Sequence, residues 1–213
     1  MKYESRKDTI KPLKKRIALI GFRFIGKSTL SGELSRRWEI PVLSMDDEIE
    51  KNQGASIADI VAANGWNYFR ELELSFLEKI PPAMELILDA GGGVVEGKSG
   101  EKSIEKIDIL KKKYFTIFIY LSEDKLKVRI KNAEKGKNSQ RPGLFSPVTK
   151  VPLGVKDSLE HFLEIYRKRL EWYREAAHAV VDISDAGVRE SADRIEHLLR
   201  KEKNNKKILK ENK

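Results

Sequence analysis

The segment Gly21-Phe22-Arg23-Phe24-Ile25-Gly26-Lys27-Ser28-Thr29 fits G-x-x-x-x-G-K-[ST] at every fixed position. Chemistry of phosphates suits this spacing. Gly21 and Gly26 let backbone N–H groups converge on phosphate oxygens, and a helix starting at Lys27 adds the partial positive charge of its N-terminus. Lys27 is expected to reach the β- and γ-phosphates of a nucleotide. The Ser28 hydroxyl, with Thr29 beside it, is placed to ligate Mg²⁺. Four further groups stand out downstream. They are Asp46 within Leu43-Ser44-Met45-Asp46-Asp47-Glu48-Ile49-Glu50, Arg70 within Phe69-Arg70-Glu71-Leu72-Glu73, the run Gly91-Gly92-Gly93, and the arginines of Arg141-Pro142 and Tyr166-Arg167-Lys168-Arg169.

These residues need elements to hold them, and the apolar pattern supplies them. Arg16–Ile20 (RIALI) reads as a buried strand and Lys27–Trp38 as the helix after the phosphate loop. Short strands are expected at 41–43, 85–89, 114–121 and 179–183, and helices at 56–63 (Ser56 as N-cap), 66–77, 123–133, 157–177 and 188–199. Residues 135–154, with three Gly and three Pro, read as a loop. Strands alternating with helices predict an α/β fold with a parallel sheet covered on both faces. Such sheets bind ligands beyond the carboxyl ends of their strands, which is where the marked residues fall.

Composition bounds the rest. A chain of 213 residues fits one domain. With no cysteine there is no disulfide or thiolate zinc site, and a reducing cytoplasm is expected. No apolar run is long enough for a membrane span. The net charge of +9 suggests a polyanion binder, but it is unevenly placed. Residues 1–16 hold seven cationic and two anionic side chains, residues 200–213 again seven and two, and the 183 residues between carry 28 and 29. The basicity belongs to the ends, so nucleic acid is not an expected partner. Residues 1–15 and 201–213 are expected to be flexible basic tails around one domain, 16–200. His161, His178 and His197 have no metal-ligand spacing and read as structural. The aromatic-rich stretch 162–173 reads as packing against the sheet.

Taken in order and spacing, the five motifs resemble the shikimate kinase family over about residues 16–199. The resemblance implies a P-loop NTPase fold like that of the nucleoside monophosphate kinases: a three-layer α/β/α sandwich on a five-stranded parallel sheet of order 2-3-1-4-5, with a lid loop at about 135–155. It implies transfer of the ATP γ-phosphoryl to a hydroxyl of shikimate, with Mg²⁺, in a monomer acting on small molecules. By resemblance Asp46 accepts the hydroxyl proton, and Arg70 and Arg169 grip the substrate carboxylate, a task suited to bidentate guanidinium groups. Gly91, Gly92 and Gly93 let backbone approach the substrate, Gly92 donating its N–H. Arg141 reaches the transferring phosphate from the lid, and Arg129 stacks on adenine.

The chain departs from the family pattern in three places. The family has Asp-x-Asp after the second strand; here Ser44 replaces the first Asp, which helps hold Mg²⁺ through water. The third strand reads Ile87-Leu88-Asp89-Ala90-Gly91-Gly92, an apolar strand ending in Asp before glycines, so Asp89 is expected to supply the missing carboxylate to the metal. The lid reads Arg141-Pro142-Gly143-Leu144-Phe145 after a Lys- and Asn-rich lead-in, and Phe24 and Ile25 are bulky for a phosphate loop. Two alternatives share these features: a related hydroxy-acid kinase such as a gluconate kinase, and a nucleotide- or partner-binding relative without turnover.

Overall fold

In the computed structural model, which describes residues 16–135 and 155–211, the elements run β1 (Arg16–Ile20), α1 (Lys27–Trp38), β2 (Val42–Ser44), α2 (Met45–Gln53), α3 (Ile57–Lys79), β3 (Leu86–Asp89), α4 (Ile104–Lys113), β4 (Phe115–Tyr120), α5 (Glu123–Lys135), α6 (Val155–Ala176), β5 (Ala179–Asp182) and α7 (Val188–Glu211). The strands pair in the order β2-β3-β1-β4-β5, and every pairing is parallel. This is the order expected from the family resemblance. The central strands β1, β3 and β4 are buried almost throughout, as their unbroken apolar text requires. The edge strands β2 and β5 are only partly covered. Among the helices, α1 packs on α7, while α3, α4, α6 and α5 form a second row of neighbours. No helix among the described residues is long and apolar enough to cross a membrane.

Local chemistry sets the element ends. The Ser56 hydroxyl accepts from the Asp59 N–H at 3.2 Å and caps α3, as its place before the apolar run predicts. The two helices expected at 56–63 and 66–77 form one element bent at Gly65, where φ 80° and ψ 170° break the helical path. A helix absent from the sequence reading, α4, begins with Ser103 accepting from the Lys106 N–H at 3.3 Å. It buries Ile107 and Leu110 but leaves Ile104 exposed, so its apolar stripe is thin. The last helix runs on to Glu211, past 199 and into the expected basic tail. Lys, Glu and Leu are good helix formers, so the propensity of that stretch carries the helix beyond the core. Residues 1–15 and the lid lie outside the described residues.

Candidate active site

The phosphate loop joins β1 to α1. Gly21 has φ 144°, and a Cβ there would come within 2.5 Å of Ile25 Cδ1 and 2.7 Å of the Ile119 carbonyl oxygen. Gly26, at φ 89°, is the N-cap of α1 and offers no side chain to the first-turn N–H groups. No acidic residue sits in that turn. An uncapped helix start with no acidic side chain is the setting in which helix N-termini bind anions. Lys27 is buried, and its Nζ donates to the carbonyls of Gly21 (3.0 Å) and Phe22 (3.1 Å), so the ammonium lies along the inside of the loop. Ser28 and Thr29 are exposed on the first turn of α1. Arg129, on α5, donates from Nη1 to the Ile25 carbonyl and lies 3.1 Å from where a Gly26 Cβ would be. Burial lowers its pKa. Phe24 has φ 66° and packs edge-on against Phe162 of α6, ring centroids 5.6 Å apart.

Beyond β2, the Ser44 hydroxyl accepts from the Asp47 N–H at 3.3 Å and caps α2. Asp46 lies in the first turn of α2. Asp89, nearly buried, ends β3 and is the register partner of Ser44.

The triple glycine follows Asp89 and touches each part of the site. None of the three has a left-handed φ; space makes them glycine. A Cβ on Gly91 would come 2.7 Å from Asp46 Oδ1 and 3.2 Å from Glu73 Oε1. On Gly92 it would meet the Arg23 backbone nitrogen of the phosphate loop at 3.0 Å. On Gly93 it would overlap Arg70 Nη1 at 2.1 Å. The Gly92 carbonyl accepts from Arg169 Nη1 at 3.0 Å and from the Tyr173 hydroxyl. Burial pushes the Tyr173 phenol up to about 12, which keeps it a donor.

Arg70 of α3 and Arg169 of α6 converge here, both nearly buried. Arg70 Nη1 donates to Glu73 Oε2 (3.0 Å) and Nη2 to Glu96 Oε2 (2.7 Å). Arg169 Nη2 donates to the same Glu96 oxygen. Lys106 Nζ, from α4, donates to Glu73 Oε2 at 2.8 Å. Burial alone would raise both carboxyls, but the surrounding cations prevail: Arg70 and Lys106 hold Glu73 below the ordinary carboxylate range, and Arg169 and Arg70 do the same for Glu96. Two buried atoms of this cluster have no hydrogen-bond partner among the described residues, Glu73 Oε1 and Arg169 Nε. Among the described residues they leave one acceptor and one donor unused.

The structure thus gathers Asp46, Arg70, Gly91, Gly92, Gly93 and Arg169 around one glycine turn backed by the phosphate loop. Arg141 lies outside the described residues. Sequence reasoning missed Glu73, Glu96 and Lys106. Glu73 had a signal, since it stands three residues after Arg70 on a helix. The histidines are structural where their contacts are given: His178 Nδ1 accepts from the Thr116 N–H, and its ring stacks on Phe115. The aromatics of α6 pack inward, with Phe162 and Tyr166 against Phe22 and Tyr173 on Phe118. Among the described residues no cluster of three or more His, Asp or Glu could by itself hold a metal.

The chain is similar to known proteins along most of its length. The sequence model described as Shikimate kinase matches residues 24–200. A shikimate kinase of Leptospira biflexa serovar Patoc (strain Patoc 1 / Ames) is 34% identical over 184 residues, covering 84% of this chain and 92% of that one. The crystal structure of shikimate kinase from Aquifex aeolicus superposes with a TM-score of 0.63 at 28% identity, over 89% of this chain and 98% of that one. Shikimate kinase from Acinetobacter baumannii in complex with shikimate superposes with a TM-score of 0.71 at 24% identity, over 88% and 93%, and shows the shared fold. With the motifs in place around one site and the family matched along most of its length, the chain belongs to the shikimate kinase family.

Proposed function

We propose that the protein transfers the γ-phosphoryl of ATP to a hydroxyl of shikimate, giving ADP and 3-phosphoshikimate. The observation that carries this is the glycine turn. One short segment touches Asp46, the phosphate loop, Arg70 and Arg169, so a proton acceptor, a phosphate cradle and two guanidinium groups surround one point. An acceptor with a carboxylate at one end and a hydroxyl at the other fits this set. The guanidinium groups of Arg70 and Arg169 bind the carboxylate, and Asp46 orients the hydroxyl and takes its proton as oxygen bonds to phosphorus and the bond to the ADP oxygen breaks. Lys27 and the α1 N-terminus hold the phosphates, Arg129 borders the nucleotide side, and Arg141 of the lid balances charge on the moving phosphoryl. The available donors near the cradle, the Ser28 hydroxyl and the Asp89 carboxylate, are hard oxygens that suit Mg²⁺, which takes few protein ligands beside nucleotide phosphates. When bound, Mg²⁺ offsets phosphate charge. The protein acts as a monomer in the cytoplasm.

The test is ADP release by purified protein with shikimate, gluconate or no acceptor. Release that depends on shikimate, and falls on the order of 100-fold in Asp46→Asn and in Lys27→Met, supports the assignment. Nucleotide binding without acceptor-stimulated release, or release with gluconate in place of shikimate, refutes it.

A further inference from the structure

Glu96 stands in an unexpected place. Its Oε2 accepts from Nη2 of Arg70 and from Nη2 of Arg169. Two guanidinium groups sharing one carboxylate oxygen is the arrangement a carboxylate ligand would seek there. The other terminal nitrogens are also engaged: Arg70 Nη1 donates to Glu73, and Arg169 Nη1 to the Gly92 carbonyl. Arg169 Nε and the second N–H of each terminal nitrogen stay available, but a carboxylate that is to bridge both guanidinium groups, as Glu96 does, must take these directions from a protein acceptor. Three acceptors are candidates, and they differ in how readily they yield. The Gly92 carbonyl is backbone in a tight turn and also accepts from Tyr173. The Glu73 side chain is 1% exposed and held by Lys106 as well. Glu96 is 12% exposed, its carboxylate is paired with the two arginines, and it leads into Gly97 and Gly100. Of the two carboxylates, Glu96 is the more exposed, and unlike Glu73 it is not also held by Lys106.

We infer, resting on the assignment of Arg70 and Arg169 to the acceptor's carboxylate, that Glu96 competes with that carboxylate for the two guanidinium groups, so that acceptor binding exchanges one carboxylate for another. Charge favours exchange. Arg70, Arg169 and Lys106 against Glu73 and Glu96 leave the cluster one positive charge in excess, and a monocarboxylate replacing Glu96 keeps that balance. Glu96 thereby sets acceptor specificity. A neutral ligand makes weaker bonds to paired guanidinium groups than the carboxylate it must displace, whereas an anionic acceptor matches that carboxylate. The apparent affinity for the acceptor is reduced by the fraction of time Glu96 holds the pair.

The test compares the full-length protein with Glu96→Gln, which keeps shape but removes the charge, and with Glu96→Asp, whose carboxylate falls one methylene short. At saturating ATP, the KM for shikimate is expected to fall about five-fold in Glu96→Gln if Glu96 holds the pair about four-fifths of the time, and by less in Glu96→Asp. Inhibition by the neutral methyl ester of shikimate is expected not to tighten. Shikimate is also expected to raise the Tm of Glu96→Gln more than that of the wild type. A shikimate KM that stays or rises in both variants overturns the exchange and makes Glu96 a scaffold for the arginines. Equal tightening of shikimate and its ester also overturns it. If the wild type shows neither shikimate-dependent ADP release nor a shikimate-dependent rise in Tm, the acceptor assignment itself fails and the exchange falls with it. Wild-type turnover with unimproved variants rejects the exchange alone.

Discussion

Ser44 and Asp89 are cross-strand partners, in register at the carboxyl ends of parallel strands β2 and β3. The Ser44 hydroxyl caps α2, so of this pair Asp89 alone brings a carboxylate. The two positions are adjacent, and on the proposed metal role of Asp89 a carboxylate on either one serves the same ion. Asp89→Ala is expected to raise the Mg²⁺ concentration for half-maximal velocity roughly ten-fold. Adding Ser44→Asp to that variant is expected to restore it, since Asp also caps helices. Titration of ADP release with Mg²⁺ checks both. An unchanged requirement in Asp89→Ala reduces Asp89 to a cap on the glycine turn.

Gly93→Ala tests whether the turn is glycine for space. The backbone there lies outside the left-handed region, so alanine adds no conformational strain. Its Cβ would overlap Arg70 Nη1, and a 1 Å displacement of a positioning group can cost on the order of 100-fold. The shikimate KM is expected to rise at least about ten-fold, while affinity for ATP, measured by nucleotide fluorescence, changes little. Gly91→Ala presses on Asp46 Oδ1 instead, so its loss is expected in kcat.

The phosphate loop was legible because its pattern is contiguous and its context, a strand before and a helix after, is local. The sheet order followed from family resemblance, and the alternating elements alone would have allowed several orders. That Ser44 and Asp89 end neighbouring strands followed from the same resemblance, since register across strands separated by α2 and α3 is encoded in no local pattern. The charged layer under the site was hidden for a different reason. Lys106 lies in Ile-Glu-Lys-Ile-Asp-Ile-Leu-Lys-Lys-Lys, text that looks like a solvated helix, yet its side chain is 1% exposed. The same buried lysine weakens the apolar stripe that would have announced α4. Glu96, in a Gly- and Lys-rich loop, likewise reads as surface until the arginines of α3 and α6 are brought to it.

That buried layer predicts how stability depends on pH. Glu73 and Glu96 both have carboxyl pKa values lowered in the folded state. Their contribution is fully present above the unfolded value of about 4.5 and is lost as pH falls through the lowered folded values. Glu73→Gln is expected to flatten the loss of stability between about pH 5 and 3, read from urea unfolding at each pH. Lys106→Met, by removing one partner from a buried pair, is expected to cost about 3 kcal/mol at neutral pH.

Phe24 offers a measure of what the phosphate loop tolerates. At φ 66° a non-glycine residue is strained by roughly 1–2 kcal/mol, and edge contact with Phe162 together with the Arg23 guanidinium 4.7 Å from its ring offsets that cost. Phe24→Ala loses the ring and keeps the strain; Phe24→Gly loses both. Urea unfolding is therefore expected to show both variants less stable than the wild type, with Phe24→Gly the more stable of the two by roughly 1 kcal/mol. The ring also ties the loop to α6, the helix that carries Arg169. The two variants are therefore expected to share a raised KM for ATP despite their different stabilities, because the missing contact is the same. Equal stability of the two variants would mean that the loop relaxes out of the left-handed conformation once the ring is gone.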